Sequence, residues 1–503
     1  MARATNKATP IQLRPNKIAA AMRLSAHDAS FLYSETASGP MHGVGFTLLG
    51  GPATYEAVFE FYAKRIHLIP RLRQKVAFVP FNVAHPKWVD DPDFDLSNHL
   101  KPHRVPPNTS IERAMEHALA LGEPLLDRSR PLWLTYVIEG IEGGKTLLAA
   151  LNHHAFIDGA TAIAMTYVLT DQAPDAAPPP PPAEAWTPQA EDSPTALWQE
   201  AVAENAQKAA LDLADAPVRA VKFAELAPRA TSLMNRLAQP VMQAPWNAGL
   251  VGPKRQTQLL RYRLDEFKPI RAQLGGTIND LIIAVVAEGA ARYLGELGED
   301  TKDQSLRLMC PVNVRDAGAD PLAMEGNRVS AMFPVLPAWP MPMLERLNLV
   351  RSQLEEIKSL KEPEVMDQLA ELQPHIAPLG MLSTQMVGTP WDPSALAARS
   401  PLPVAPRPSG TRPSQTGFNF TCTNVPGPPA QQWVAGHPVE ALTGTLMLGG
   451  NLGCGVGVGS YNGVFTLCFV ADPRLLPQLD RFSARVAEAF AELVDLAQNA
   501  SRD

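Results

Sequence analysis

The residues best equipped for chemistry in this chain are two adjacent imidazoles and a carboxylate. His153, His154 and Asp158 lie in the segment LNHHAFIDGATA, Leu151 to Ala162. An imidazole with an unperturbed pKa near ~6.5 can take a proton from an alcohol at neutral pH, a step typically worth ~10²–10⁴ in rate. Neighbouring side chains on an extended backbone point to opposite faces, so the two histidines are expected to have different tasks. A histidine beside an apolar strand is most often a satisfied core residue, and that is the expectation for His153. For His154 the neighbouring sequence adds more: Asp158 lies within about one helical turn and can hold the local geometry, and Gly159 permits a tight bend.

Two other chemistries compete. His154 and Asp158 share the spacing of the outer residues of H-E-x-x-H, but that zinc motif has histidines at both ends. With no further ligand cluster in the sequence, no metal is expected. Ser460 sits in GVGSYNG, which fails the G-x-S-x-G nucleophile pattern because Val458 stands where the first glycine belongs. The series Gly453, Gly455, Gly457 and Gly459 fails G-x-G-x-x-G and repeats with the period of a strand. One strand face is then bare, either for tight packing or as a floor for a long apolar ligand. General-base catalysis is the chemistry that remains.

The elements around the motif follow from periodicity. LLAAL reads as a buried strand and GATAIAMTYVL as a helix, which puts the histidines at a strand-to-helix turn. GVGFTLLG reads as another strand, and TYEAVFEFYAKRI and SIERAMEHALAL as helices. In GGTINDLIIAVVAEGAARYL, Thr277 and Asp280 have capping-box spacing at a helix start. Near the carboxyl end Leu479, Phe482, Val486, Phe490 and Leu493 form one apolar helical stripe. The class is mixed α/β.

At 503 residues the chain exceeds what one core usually supports, which points to two lobes. The composition, 46% hydrophobic and 19% charged, is that of a globular protein, and the net charge of −7 gives no overall attraction to nucleic acid. The run LIIAVVA stops at Glu288, far short of the roughly 18–20 apolar residues of a membrane span. The four cysteines form no C-x-x-C pair and read as small buried hydrophobes, which suits a reducing cytoplasm.

Proline punctuates the chain. Residues 1–21 form a basic amino-terminal arm without the apolar core of a secretory signal, suited to touching anionic lipid. Residues 22–173 form a first lobe. A segment with five consecutive prolines reads as a semi-rigid linker, and the helical connector after it is expected to be interrupted at Pro217 and Pro228. Linker and connector together occupy 174–255, and 256–503 form the second lobe. Within the connector, Arg219, Lys222, Arg229 and Arg236 fall beside Phe223, Leu226, Leu233 and Leu237 at helical spacing. That suits either a helix packed on a lobe or an interfacial helix whose cations meet anionic lipid.

The segment HHAFIDG matches H-H-x-x-x-D-G, the signature of coenzyme A-dependent acyltransferases of the chloramphenicol acetyltransferase and condensation-domain type. LSAHDASFL, PMHGVG, FDLSNHL, RPLW, TINDLIIA, CPVNVR, GNRVSAMFPVLP and TNVPGPP follow in the order seen in bacterial wax ester synthase/diacylglycerol acyltransferases, and the chain resembles that family over nearly its whole length outside the linkers.

The resemblance implies a two-lobed chloramphenicol acetyltransferase-like fold with the site in a tunnel between the lobes. His154 would be the general base, with His153, Asp158 and Gly159 shaping its loop. Asp158 would act as an orienter, paired with a cation for which Arg315 is the candidate. Pro131, Leu132, Trp133, Asn279 and Asp280 match the family's P-L-W and N-D elements on the substrate side. Acyl-CoA would be a substrate, with no cofactor. Diacylglycerol or a long-chain alcohol would be the acceptor, with a polyketide or glycolipid hydroxyl, or an idle droplet-coating protein, as alternatives. The expected place is cytoplasmic, peripheral on a membrane or lipid droplet. The proline-rich inserts 174–194 and 401–416, and Thr423 where the family often has serine, depart from the pattern.

Overall fold

The computed structural model describes residues 23–314, 327, 329–372, 414–415 and 417–500. The basic arm, Arg315 and most of the 401–416 insert lie outside them.

Each lobe is built on one sheet. In the first, Thr146–His153 runs between His42–Leu49 and Trp133–Ile141, antiparallel to both, and Leu100–Thr109 adds a parallel edge. Phe46, Leu48, Val137, Ile138, Leu147 and Leu148 are buried and form part of this core. In the second lobe the strands run in the order Val329–Met332, Ser305–Asn313, Phe420–Cys422, Cys454–Tyr461, Val464–Ala471 and Gln256–Arg263.

The helix Ile278–Glu296 shows why LIIAVVA is apolar on all sides. It shares one core with the second sheet and with the terminal helix Leu479–Ala500, and it is buried for most of its length. Glu288, which ends that run, is also fully buried; Arg346 donates to it at 3.0 Å and Arg292 at 2.9 Å. Among the described residues no single helix is long and apolar enough to cross a membrane. The bent pair Leu264–Leu274 and Ile278–Glu296 passes that test by composition, but its second member belongs to this core.

The lobes are not divided where the sequence suggests. His437–Gly444, from the carboxyl-terminal part of the chain, leaves its own lobe and pairs antiparallel with His42–Leu49, with Trp433–Val434 outside it. At the other boundary, Trp246 is fully buried in the second core and stacks on Phe482, so this lobe begins before residue 256.

The proline-rich segment is largely exposed but touches the first lobe at three points. Trp186 sits under the Arg73 guanidinium at 4.4 Å, His67 bonds the Pro180 carbonyl, and the Gln189 N–H donates to Asp90. The connector is one helix, Pro194–Ala238, continuous through Pro217 and Pro228. An interior proline costs roughly 3 kcal/mol, and tertiary anchoring at both ends outweighs it here. Leu197 packs on Ala77 and Val89 of the first lobe, and Leu233 on Val365 of the second.

Gly289 lets the two core helices meet. A Cβ there would lie 2.3 Å from Val486 Cγ2 and 2.8 Å from the Val486 backbone. Gly289→Ala is therefore expected to cost about 1–3 kcal/mol by overpacking, read as a lowered midpoint in thermal unfolding; an unchanged midpoint would contradict this packing.

Candidate active site

The two histidines part at the end of a strand. His153 is the last residue of Thr146–His153, opposite His42, and its side chain is fully buried in the first lobe. Its Nδ1 accepts the Ala155 N–H at 3.0 Å, which places the ring proton of the neutral form on Nε2, 3.3 Å from Glu35 Oε1. His154 comes after the ladder ends. Its backbone N–H donates to Met41 O at 2.8 Å, its ring stacks on Phe31 with centroids 4.3 Å apart, and its carbonyl accepts Asn327 Nδ2 at 2.8 Å. Burial pushes the His154 imidazole down to about 4 and His27 adds to the fall, while Asp158 and the residue's own carbonyl pull it upward. The ring is neutral at any working pH. His154 Nδ1 makes no hydrogen bond to another described residue.

Asp158 and Gly159 begin the next helix. Asp158 is the N-cap of Gly159–Val168, and its carboxylate accepts the Thr161 N–H at 2.9 Å. The function of Gly159 is space rather than an unusual turn, since its φ is not in the left-handed region. A Cβ there would stand 3.0 Å from Val425 Cγ2 in TNVPGPP. The motif thus presses directly on the second lobe.

Glu35 is the functional residue that the motif did not reveal. Its side chain is fully buried and accepts the Met41 N–H at 3.0 Å and Arg128 Nη2 at 2.9 Å. Burial opposes its charge, but His153, Met41 and Arg128 together hold the carboxyl at about 2. Met41 in turn receives the His154 N–H, so Glu35 steadies both imidazoles from behind. The signal for it was an acid between LSAHDASFL and PMHGVG. Asn327 is a second such residue: its backbone N–H donates to Asp28 Oδ1 at 3.0 Å while its amide holds His154 O.

The other expected residues divide. Asn279 lines a cavity of about 230 Å³ with Cys310, Pro311, Val312, Asn313, Met332, Cys422 and Asn424. Asn424 precedes Val425 in the chain, so this cavity opens beside the seam that Gly159 touches. Asp280 completes the capping box: it accepts the Thr277 N–H at 2.7 Å and its own N–H donates to Thr277 Oγ1 at 3.2 Å.

Pro131, Leu132 and Trp133 are buried in the first lobe, where their observed contacts are those of a scaffold. The Trp133 indole donates to Leu72 O at 2.8 Å, and Leu132 O accepts the His153 N–H at 3.1 Å. The glycine face is also packing. A Cβ at Gly455 would meet Leu446 at 3.1 Å and one at Gly457 would meet Gly444 O at 3.1 Å, so the returning chain covers that face. Among the described residues no group of three or more His, Cys, Asp or Glu could hold a metal ion.

The depressed Glu35 carboxyl fixes a pH signature. Its stabilising effect is complete above about 4.5, its ordinary value, and is lost as pH falls toward about 2. Glu35→Gln is expected to be less stable than the natural protein at pH 7, with the gap shrinking as pH falls through that window. Urea unfolding at several pH values measures it; a gap independent of pH would remove Glu35 from this role.

Residues 24–282 match the family described as the wax ester synthase/diacylglycerol acyltransferase catalytic domain, and 325–494 match its C-terminal domain. A Mycobacterium tuberculosis H37Rv protein named as a diacylglycerol O-acyltransferase is 28% identical over 96% of this chain and 92% of its own. A second, shorter protein of that organism with the same kind of name is 33% identical over 50% of this chain and 96% of its own. Among solved structures, the wax ester synthase/diacylglycerol acyltransferase from Marinobacter aquaeolei VT8 superposes with a TM-score of 0.63 at 20% identity, covering 95% of this chain and 99% of that one. The first condensation domain of the CDA synthetase reaches 0.57 at 12% identity, covering 95% and 96%. These likenesses carry the fold, and the two domain matches carry the family: the chain belongs to the wax ester synthase/diacylglycerol acyltransferase family of acyl-CoA-dependent O-acyltransferases.

Proposed function

We propose that this chain moves a long-chain acyl group from acyl-CoA to the hydroxyl of diacylglycerol or of a long-chain alcohol, with His154 as general base. The observation that carries the reading is the state of His154: a neutral, largely dehydrated imidazole at the seam between the lobes, locked at its backbone from both sides. Nε2 takes the acceptor's hydroxyl proton as the oxygen attacks the thioester carbonyl. The tetrahedral oxyanion collapses, the C–S bond breaks, and the imidazolium returns its proton to the CoA thiolate. No covalent enzyme intermediate is needed.

Burial makes His154 a weak base in the resting enzyme, but it also ensures that no fraction is wasted as imidazolium at neutral pH. Once acyl-CoA and the alcohol exclude water, charge separation on the ring is favoured by Asp158 and by the residue's own carbonyl, both of which already raise its pKa. Asp158 acts through the ring's position and field rather than by exchanging protons, since its carboxylate is engaged at the helix N-cap. The cavity by Asn279 is below the roughly 300–1,000 Å³ of a whole small-molecule site, so it holds at most part of a substrate. Both substrates carry long apolar chains that partition out of water, and the enzyme meets them peripherally at a lipid surface.

The test is free-CoA release from palmitoyl-CoA with diacylglycerol, hexadecanol and glycolipid acceptors. His154→Ala is expected to lose about 10²–10⁴ in kcat while its circular dichroism is unchanged; His153→Ala should impair stability more than chemistry. For the natural enzyme, log kcat/KM should rise to a plateau with a limb near 4, set by the depressed His154. A His154 variant within a few-fold of the natural rate would overturn the mechanism, whereas a limb at the ordinary imidazole value near ~6.5 would overturn only the depression of His154 by burial.

A further inference from the structure

Cys310 opens CPVNVR and Cys422 stands directly before TNVPGPP, yet neither thiol has a part in the proton transfer at His154. They lie on neighbouring strands of the second sheet. Phe420 pairs with Leu308 and Thr421 with Met309, so the next step of that parallel register sets Cys422 opposite Cys310. On the other side of Cys310 the antiparallel partner is Met332. Neighbouring strands lie about 4.7–4.9 Å apart, and opposed residues share a face. The sulfur side chains Met332, Cys310 and Cys422 therefore form one row across adjacent strands. All of them are buried, and all line the cavity beside Asn279.

Packing alone accounts for buried cysteine and methionine, but it requires neither a shared face nor a cavity in front of it. Two thiols and a thioether converging on one space are a soft donor set. Thiolate and thioether ligands select Cu(I), whereas hard cations take carboxylate, carbonyl and water. One donor here is a thioether, so the lack of a three-membered His, Cys, Asp or Glu group among the described residues leaves the set standing.

We infer that Cys310, Cys422 and Met332 form a binding site for a soft monovalent cation of the Cu(I) class, and that the bound cation closes the cavity beside Asn279. Binding exchanges two S–H protons for two S–Cu bonds, and the Met332 thioether adds a lone pair without releasing a proton. Copper keeps its oxidation state, two protons leave, and the complex carries one negative charge. Burial pushes the Cys422 thiol up to about 12 and raises the Cys310 thiol as well. The cation must therefore displace tightly held protons, which demands a strong bond to sulfur. The negative charge of the complex lies by the first turn of Ile278–Glu296, where Asn279 lines the cavity and the helix dipole is positive. The Asp280 carboxylate on that turn is engaged by the Thr277 N–H. Binding stands independently of the proposed acyl transfer, and only the closing of the cavity to substrate rests on it.

The test is titration of the reduced full-length enzyme with Cu(I) under nitrogen, with bicinchoninate as competing chelator and X-ray absorption at the copper edge. One copper per chain in a sulfur-only shell is expected, displaced by Ag⁺. Cys310→Ala/Cys422→Ala should abolish it, and Met332→Leu, which keeps the volume, should weaken it by about tenfold or more. Cys468→Ala should retain it. Nitrogen or oxygen donors in the shell of the natural enzyme, copper held equally by the folded double variant, or copper removed wholly by the chelator would each overturn the site. The shell is read on the natural enzyme, so a double variant that does not fold leaves the site refutable. Bound copper should also stop most CoA release, and removing it should restore the rate; a full complement of copper with undiminished release would overturn the closing of the cavity. No CoA release by the copper-free enzyme would instead defeat the proposed function, while copper count and shell still decide the site.

Discussion

The pairing of His437–Gly444 with His42–Leu49 is the constraint on which the catalytic geometry depends. The strand it joins also pairs with Thr146–His153, so one continuous ladder runs from the carboxyl-terminal half of the chain to the histidine motif. Backbone hydrogen bonds are directional and leave little freedom in register. They fix where His154 emerges relative to the second lobe more tightly than packing of two separate domains would. The chain then returns to Cys454–Tyr461, where glycines let Gly444 and Leu446 lie against the sheet. The bare strand face is needed because another part of the same backbone must cross it.

On that ladder, two adjacent imidazoles acquire different properties from one alternation of direction. His153 points into a closed polar cluster in which a backbone N–H, a carboxylate and, through that carboxylate, Arg128 account for its surroundings. Among the described residues His154 meets an aromatic face, its own carbonyl and the field of Asp158, while His27 opposes its charge, and its charged form suffers accordingly. Glu288 contrasts with it, buried between Arg346 and Arg292, both of which donate to it.

Much of the first-order structure was legible in local sequence. Strand and helix periods, the Thr277–Asp280 capping box, the terminal apolar stripe and the strand-to-helix placement of His153–Asp158 all depend on residues within a few positions of each other. One expectation failed because distant residues overrode local preference. Proline did not break the connector helix, since both ends are anchored on different lobes. The Pro131–Trp133 element lies under the histidine strand as a support, which residue type alone does not distinguish from a wall of the substrate site.

The sequence by itself determined the proposed base and its immediate loop, because an imidazole, a capping carboxylate and a small residue act over a single turn. Tertiary structure alone decided what that imidazole feels. Its pKa is set by the burial that Phe31 and the second lobe impose, and its orientation by Glu35 through Met41 and by Asn327, which is 173 residues away from it. Electrostatic free energy inside a protein depends on the distance and dielectric between groups, and those are properties of how the chain closes on itself, not of the order in which its residues are joined.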